Sequence, residues 1–244
     1  MAENPVQWDS LTVNQSRHVA EGDTIPGHSL QINFIYPLDY HDKTVLASVR
    51  KQFVLDYFGS EYGDMTPERA AEKYVEDYIR SVRDEERVSD EGMPMEYYEI
   101  SGNWVLYNRN NLLCVLINKE EYRGGAHGIH NTLNRVIDLN TGRLLKEKDL
   151  FVDNYQEDLA KIIVDNIASA NNVDNAPELE NLGFFNVNEI VPNGNFCVDD
   201  TGITYLFNEY EIAAYAVGPV VVQLPYGKVR HLLRADSPLA AIAF

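Results

Sequence analysis

The fold is decided by residues 96–128, EYYEISGNWVLYNRNNLLCVLINKEEYRGGAHG. Two runs rich in aromatic and aliphatic residues, 96–109 and 111–122, have the composition of β-strands. The segment 108–111 between them is NRNN, and asparagine is favoured in tight turns because it tolerates left-handed backbone. This stretch therefore predicts a β-hairpin.

A glycine-rich segment, Gly124-Gly125-Ala126-His127-Gly128, follows the hairpin directly. Glycine permits positive φ and close approach of the backbone to other groups. We therefore expect a tight turn that presents or buries one imidazole, that of His127.

Further strands and helices are predicted on both sides of the hairpin. Apolar and polar residues alternate over 28–36, as in a half-buried strand, and Pro37 and Asp39 are expected to end it. The other predicted strands are 6–20, 133–139, 196–198, 203–207 and 220–224. The predicted helices are 43–58 with Asp42 as N-cap, a helix beginning at Thr66 and Pro67, 155–170, and 225–233, with a loop and a short helical turn over 171–181.

Hairpins dominate this order of elements, which indicates largely antiparallel sheets and an α+β fold class. We expect helices packed on one face and two subdomains. The boundary is predicted near residues 110–123, where the hairpin could belong to both halves.

Composition limits the function. The 244-residue chain has a formal net charge of −18, which argues against binding to nucleic acid and to anionic membrane surfaces. A basic partner would be attracted to such a surface.

No apolar run approaches the roughly 18 residues that cross a bilayer, and Met1 to Ser10 lack the features of a secretion signal. The sequence therefore leaves two alternatives: the protein is cytoplasmic, or its secretion signal has been removed.

The two cysteines, Cys114 and Cys197, each lie in a strand-like apolar run. They can be buried thiols or one disulfide, and we favour thiols because an isolated pair lacks a disulfide-framework pattern.

His127 is the candidate for general-base catalysis. His127 and His130 are three residues apart, but no glutamate follows the first histidine as in zinc helices, so we predict no metal site. Phosphate-binding and dinucleotide-binding glycine motifs are absent from the sequence, and we expect no cofactor. We favour a structural role in which the His127 ring nitrogens tie the turn to neighbouring backbone.

The acidic candidates lie toward the C-terminus. Asp199-Asp200 precede Thr-Gly, and we interpret this segment as a hairpin turn rather than a catalytic pair. Glu209 and Glu211 occur in residues 207–219, FNEYEIAAYAVGP, and face the same way if that segment is extended. The flanking tyrosines suggest an amphipathic wall. The predicted ligand-binding residues are Gly124, Gly125, His127, Glu209, Tyr210, Glu211 and Tyr215.

Several motifs in their order resemble a known family, the C-terminal extracytoplasmic domain of the lysozyme-sensing anti-sigma factor RsiV. This domain of unknown function also occurs beside peptidoglycan deacetylase domains. The resemblance covers about residues 119–234, and Ala214 departs from it where the family more often has proline. The motifs are EYRGGAHG at 121–128, NRVIDLNTG at 134–142, KDLF at 148–151, residues 196–206, FNEYEIAAYAVGP at 207–219 and VQLPY at 222–226.

The resemblance implies two domains, an N-terminal companion domain over 1–118 and an RsiV-like domain over 119–244. It implies an extracytoplasmic lipoprotein of the periplasm or cell surface whose signal has been removed. The implied function is a non-catalytic envelope module that binds a cationic protein such as lysozyme, or cell-wall glycan. Alternatives are a hydrolase of cell-wall material, with His127 as base and Glu209, Glu211 or Asp200 as partner, and a purely structural envelope protein.

Overall fold

The computed structural model describes residues 3–17, 27–88 and 97–243. Residues 18–20 of the first predicted strand, and most of the turn expected after it, lie outside the described residues. The chain forms two compact units. The N-terminal unit comprises Pro5–Trp104 and Ile117–His130, and the C-terminal unit comprises Met1–Asn4, Val105–Leu116 and Asn131–Phe244. The predicted hairpin thus contributes residues to both units, and the boundary at 118 stays a prediction.

The α+β class is confirmed, with two sheets, most of whose strand pairs are antiparallel, and several helices. The larger sheet has the strand order β1-β2-β3-β4-β5-β6. Its strands are β1 (Gln7–Arg17), β2 (His28–Asp39), β3 (Tyr97–Arg109), β4 (Leu112–Tyr122), β5 (Ile129–Asp138) and β6 (Arg143–Leu144).

One strand pair of this sheet departs from the hairpin pattern. Strand β2 pairs with β3 in parallel, with Gln31 opposite Ile100 and Asn33 opposite Gly102. Parallel strands require a long crossover connection. That connection contains the two helices α1 (Lys43–Phe58) and α2 (Pro67–Val88).

The core of the N-terminal unit lies between β2 and these helices. Leu30, Ile32 and Phe34, on one face of β2, are fully buried. The Phe34 ring lies 4.5 Å from the ring of Tyr57 on α1. The Asp42 N-cap is confirmed, since its carboxylate accepts hydrogen bonds from the backbone N–H groups of residues 44 and 45.

The expectation that Pro37 ends β2 is wrong. The strand continues to Asp39, and Pro37 pairs with Trp8 where the register with β1 shifts. Proline is tolerated in a sheet at such an irregularity because its missing N–H breaks no regular ladder bond there.

The C-terminal unit packs helices against the smaller, antiparallel sheet, with strand order β7-β8-β9. Leu159 and Ile163 on helix α4 (Gln156–Ala170) are fully buried in this core. The predicted last helix is shorter than expected, because α5 (Tyr226–Val229) gives way to a 3-10 turn at Arg230–Leu232. The elements are β7 (Phe196–Val198), β8 (Gly202–Phe207), β9 (Val220–Pro225), α3 (Glu147–Leu150), α4 (Gln156–Ala170), α5 (Tyr226–Val229) and α6 (Ala240–Ala243), with a 3-10 helix at Ala176–Leu182.

The preference for free thiols is wrong. Cys114 on β4 and Cys197 on β7 form a disulfide within the C-terminal unit, with their Cα atoms 5.8 Å apart. Two strands that are distant in sequence are brought together in this core, and sequence spacing carried no signal of that pairing.

Candidate functional site

The glycine-rich turn presents its histidine to solvent. Gly124 and Gly125 have φ of 87° and 100°, in the left-handed region that favours glycine. The Tyr122 hydroxyl donates a hydrogen bond of 2.9 Å to the Gly125 carbonyl. His127 is exposed, and its Nδ1 lies 2.9 Å from the Gly128 carbonyl, a contact that requires the proton on Nδ1. The imidazole therefore contacts turn backbone, as the structural interpretation predicts.

The second predicted block is a turn rather than an extended segment. Strand β8 ends at Phe207, and Tyr210 has a left-handed φ of 64°. The carboxylate of Glu211 accepts hydrogen bonds from the Asn208 N–H (2.8 Å) and from Asn193 Nδ2 (2.7 Å). Glu209 and Glu211 were expected to face the same way only in an extended segment, and this segment is not extended. Glu211 instead stabilises the turn.

This turn carries exposed aromatic rings. Tyr210 is 58% exposed, and its ring lies 5.7 Å from that of Tyr215. The neighbouring segment 182–185 is paired with it, since Phe184 forms a β-bridge with Ala213. Both segments carry exposed or partly exposed apolar side chains. We call the following group the tyrosine surface: Leu182, Phe185, Tyr210, Tyr215 and Val217.

The sequence around the tyrosine surface is strongly acidic. Residues 162–227 contain nine Asp and Glu side chains and no Lys, Arg or His. The stretch of sequence that carries the tyrosine surface therefore combines aromatic side chains with acidic residues and no basic ones, a composition that attracts cationic partners. The exposed Phe185 and the absence of basic residues from this stretch are features that the sequence interpretation missed, although the second is readable from the sequence.

The predicted site residues fall into both units. Gly124, Gly125 and His127 belong to the N-terminal unit, whereas Glu209, Tyr210, Glu211 and Tyr215 belong to the C-terminal unit. That the two groups form one ligand-binding site stays a prediction.

The acidic pair is a hairpin turn, as predicted. The Asp199 carboxylate accepts hydrogen bonds from the backbone N–H groups of Thr201 and Gly202, at the connection between β7 and β8. Asp200 accepts a hydrogen bond of 2.7 Å from the Tyr107 hydroxyl and lies 3.5 Å from Arg109. Both carboxylates are thus engaged in local structure.

A cavity of about 720 Å³ opens in the C-terminal unit. Glu147 at its wall accepts hydrogen bonds from the Tyr155 hydroxyl (3.1 Å) and the Gly194 N–H (3.0 Å). Burial first, and then the Glu147 carboxylate, raise the pKa of Tyr155 to about 12. The same two causes raise the pKa of the fully buried Tyr205 well above its usual range.

Two buried oxygens near this cavity make no hydrogen bond within the described part of the chain, Asn134 Oδ1 and the Tyr205 hydroxyl. Neither atom reaches solvent, so a ligand in the cavity would not contact them without a movement of the wall. The accessible carboxylate, that of Glu147, already holds two donors. The cavity therefore presents little uncommitted hydrogen-bonding capacity from these groups.

The N-terminal unit holds a partly buried lysine among aromatic rings. Lys119 Nζ lies 5.7 Å from the ring centre of Tyr57 and 5.3 Å from that of Tyr74. Desolvation lowers the pKa of Lys119, while the carboxylates of Glu99 and Glu121 oppose that shift. Cation–π contacts of this kind stabilise a core amine.

Two other features bear on the kind of site. Over residues 3–17, 27–88 and 97–243, no group of three or more His, Cys, Asp or Glu side chains is placed to hold a metal ion. Within the same ranges, no helix has the length and hydropathy needed to span a bilayer.

Comparison with known proteins places this fold in a class without an assigned activity. A family model described as Protein of unknown function (DUF3298) matches residues 148–227. The crystal structure of a DUF3298 family member from Bacteroides fragilis NCTC 9343 has 31% identity and a TM-score of 0.87, covering 99% of this chain and 98% of that chain. No curated protein matches the chain.

The chain belongs to the DUF3298 family. A more distant member, from Pseudomonas aeruginosa PAO1, has 15% identity and a TM-score of 0.68 over 95% of this chain and 96% of that chain. That likeness extends the shared fold to sequences with few residues in common.

Proposed function

We propose that this protein is an RsiV-like, non-catalytic binding module of the bacterial envelope, with the companion domain N-terminal to residue 119, and that it binds a cationic protein such as lysozyme. The motifs at 121–128 and 207–219 support the subfamily. The observation that carries the binding role is the tyrosine surface within a stretch of nine acidic and no basic residues.

The disulfide supports a location outside the cytoplasm. Disulfides persist in oxidising compartments, such as the periplasm and the cell surface, and are rare in the cytosol. Cys114 is fully buried and Cys197 nearly so, which identifies the bridge as part of the core rather than an exposed redox pair. The disulfide thus supports our proposal that the protein is an extracytoplasmic lipoprotein at the level of its compartment.

The tyrosine surface favours a protein partner. Aromatic side chains supply large contact areas at a low entropic cost, and they are enriched at protein interfaces. Acidic residues around them attract a basic partner over long range and raise its association rate. Lysozyme supplies the basic charge that this surface lacks.

The hydrolase alternative is less well supported. Glu211 is committed to the turn through both carboxylate oxygens, and Asp200 is bonded to Tyr107. A general acid needs an uncommitted proton site within hydrogen-bond reach of the substrate. Two of the three carboxylates expected as partners of His127, those of Glu211 and Asp200, are therefore already engaged in local structure.

Calorimetric titration with hen lysozyme tests the proposal, with the acidic protein α-lactalbumin as a control of similar size and with muropeptides as a third ligand. We expect heat with lysozyme only, and weaker binding at 300 mM than at 50 mM salt because counterions screen exposed charges. Heat with muropeptides and none with lysozyme would indicate that the ligand is cell-wall glycan rather than a protein. The absence of heat with all three ligands, at a protein concentration of about 100 µM, would contradict the binding role.

A further inference from the structure

One face of the larger sheet is open where β1, β2 and β3 lie side by side in the N-terminal unit. On β2, Leu30, Ile32 and Phe34 face the helices and are fully buried, whereas the alternate residues Gln31 and Asn33 are exposed. Because successive side chains on a strand point to opposite faces, Gln31 and Asn33 mark the face away from the core.

Strand register extends this face across three strands. One row runs from Asn14 through Gln31 to Ile100. The next row runs from Thr12 through Asn33 to Gly102. Strands are about 4.8 Å apart and alternate residues about 7 Å apart, so the two rows cover roughly 10 by 7 Å. This area suits one or two sugar rings.

Trp104 lies two residues beyond Gly102 on the same side of β3. Its indole is 49% exposed and folds back along the strand. A Cβ atom at residue 102 would lie 2.9 Å from Trp104 Cη2, closer than real Cβ contacts. Gly102 therefore lets the indole lie against the sheet, beside the amide rows.

We define the neutral patch as the side chains of these two rows together with Trp104: Thr12, Asn14, Gln31, Asn33, Ile100 and Trp104. None of the six is charged, although the chain carries a net charge of −18. Tyr98, the preceding side chain on this face of β3, donates a hydrogen bond to the Glu120 carboxylate, so charge begins beside the patch. The amides and the hydroxyl of the patch both donate and accept hydrogen bonds.

We propose that the neutral patch binds an uncharged glycan chain. A sugar ring presents an apolar C–H face, which an exposed indole covers, and hydroxyls at its edge, which amides and hydroxyls match in both hydrogen-bonding roles. Ile100 and Trp104 are both exposed apolar side chains on this face of β3, and exposed apolar area grouped in this way marks an interaction surface. The lack of charge disfavours a cationic or anionic partner, so the patch is distinct from the tyrosine surface and lies in the other unit.

Tryptophan fluorescence tests this proposal directly. The chain has two tryptophans, and Trp8 packs against Phe53 with ring centres 6.0 Å apart. Trp8→Phe leaves Trp104 as the reporter. We titrate this variant with cellohexaose and N-acetylglucosamine hexamer, with oligogalacturonate as the anionic control. The expected result is a saturable emission change below about 5 mM with at least one neutral oligosaccharide and none with oligogalacturonate.

Matched variants locate the binding. Trp104→Ala should weaken binding by about tenfold when measured by calorimetry, since it removes the stacking ring. Gly102→Ala keeps the ring but displaces it, and should weaken binding in the same direction. Leu38→Ala, at another exposed apolar position of this unit, serves as the control and should bind normally.

Three results would overturn the proposal. One is no binding of either neutral oligosaccharide by protein whose thermal unfolding is normal. Another is equal binding of neutral and anionic oligosaccharides that Trp104→Ala leaves unchanged. The third is concentration-dependent dimerisation lost in Trp104→Ala without any glycan response, which would assign the patch to a second copy of the chain. The lysozyme proposal concerns the tyrosine surface of the C-terminal unit, whereas the glycan proposal concerns the neutral patch of the N-terminal unit. Failure of one proposal therefore leaves the other testable.

Discussion

Cys114 and Cys197, 83 residues apart in the chain, are covalently joined between strands β4 and β7 in the core of the C-terminal unit. The bond connects the central hairpin to the smaller sheet, in which strands β8 and β9 flank the segment that carries Tyr210 and Tyr215. It restricts the unfolded chain by closing a long loop.

Loss of this bond should destabilise the protein. We expect Cys114→Ala/Cys197→Ala to lower the free energy of unfolding by about 2–4 kcal/mol, measured by urea denaturation. In the native protein, thiol reagents should label neither cysteine until reductant and denaturant are both present, because both residues are buried. An unchanged urea midpoint in the double variant, or thiol labelling of native protein without reductant, would contradict the assignment.

Two tyrosines near Glu147 should respond oppositely to removal of the hydroxyl. Tyr155 donates a hydrogen bond to Glu147, so Tyr155→Phe should cost about 1 kcal/mol. The buried Tyr205 hydroxyl interacts electrostatically with the Glu147 carboxylate but makes no hydrogen bond of regular geometry in the described structure, so Tyr205→Phe should be neutral or stabilising by up to about 1 kcal/mol. Thermal unfolding of the two variants compares them directly. Equal destabilisation of both would show that Tyr205 makes a hydrogen bond in solution.

Alkaline pH should unfold the protein through its tyrosines. Burial is the main cause that raises the pKa of Tyr62, Tyr107 and Tyr155 to about 12. An unfolded tyrosine has a pKa of about 10, so the native state holds these protons more tightly. The stability that they contribute is complete below pH 10 and is lost as the pH rises from 10 through 12.

Absorbance at 295 nm should therefore show two phases, with exposed tyrosines ionising first and buried tyrosines ionising as the fold is lost. Circular dichroism on the same samples reports the fold. Ionisation of all fifteen tyrosines in one step near pH 10, with the fold retained, would disagree with this expectation.

The cap of α1 offers a local test. The Asp42 carboxylate accepts bonds from the N–H groups of Thr44 and Val45. Asp42→Ala should lower the free energy of unfolding by about 1 kcal/mol, whereas Asp42→Asn keeps an accepting oxygen and should change it little. Equal stability of Asp42→Ala and wild type in urea would mean that another group satisfies these donors.

Local signals in the sequence predicted local structure well. The helix over 43–58 was predicted with both ends correct, because the Asp42 cap and the apolar stripe act within a few residues. The asparagine-rich segment 108–111 predicts the hairpin turn, and Asn110 and Asn111 there have left-handed φ values of 55° and 57°, which asparagine tolerates. Such features depend on neighbours in sequence and are therefore readable from it.

Features that depend on distant segments were not predictable in the same way. The disulfide requires two strands 83 residues apart to meet, and the parallel pairing of β2 and β3 depends on where two helices pack. The turn at Tyr210 was missed because a non-glycine residue adopts positive φ there, held by the Glu211 carboxylate. The role of Gly102 appears only once the Trp104 indole is seen against it.

The most direct test of the central claim is the affinity of lysozyme for the Tyr210→Ala/Tyr215→Ala variant. The centres of the two rings lie 5.7 Å apart within the tyrosine surface, and Val191→Ala supplies a control at another exposed apolar position of the same unit. We predict that the double tyrosine variant weakens the calorimetric Kd by at least about tenfold, while Val191→Ala binds as wild type does. Lysozyme binding of equal strength by all three proteins would contradict the claim that this surface is the binding site.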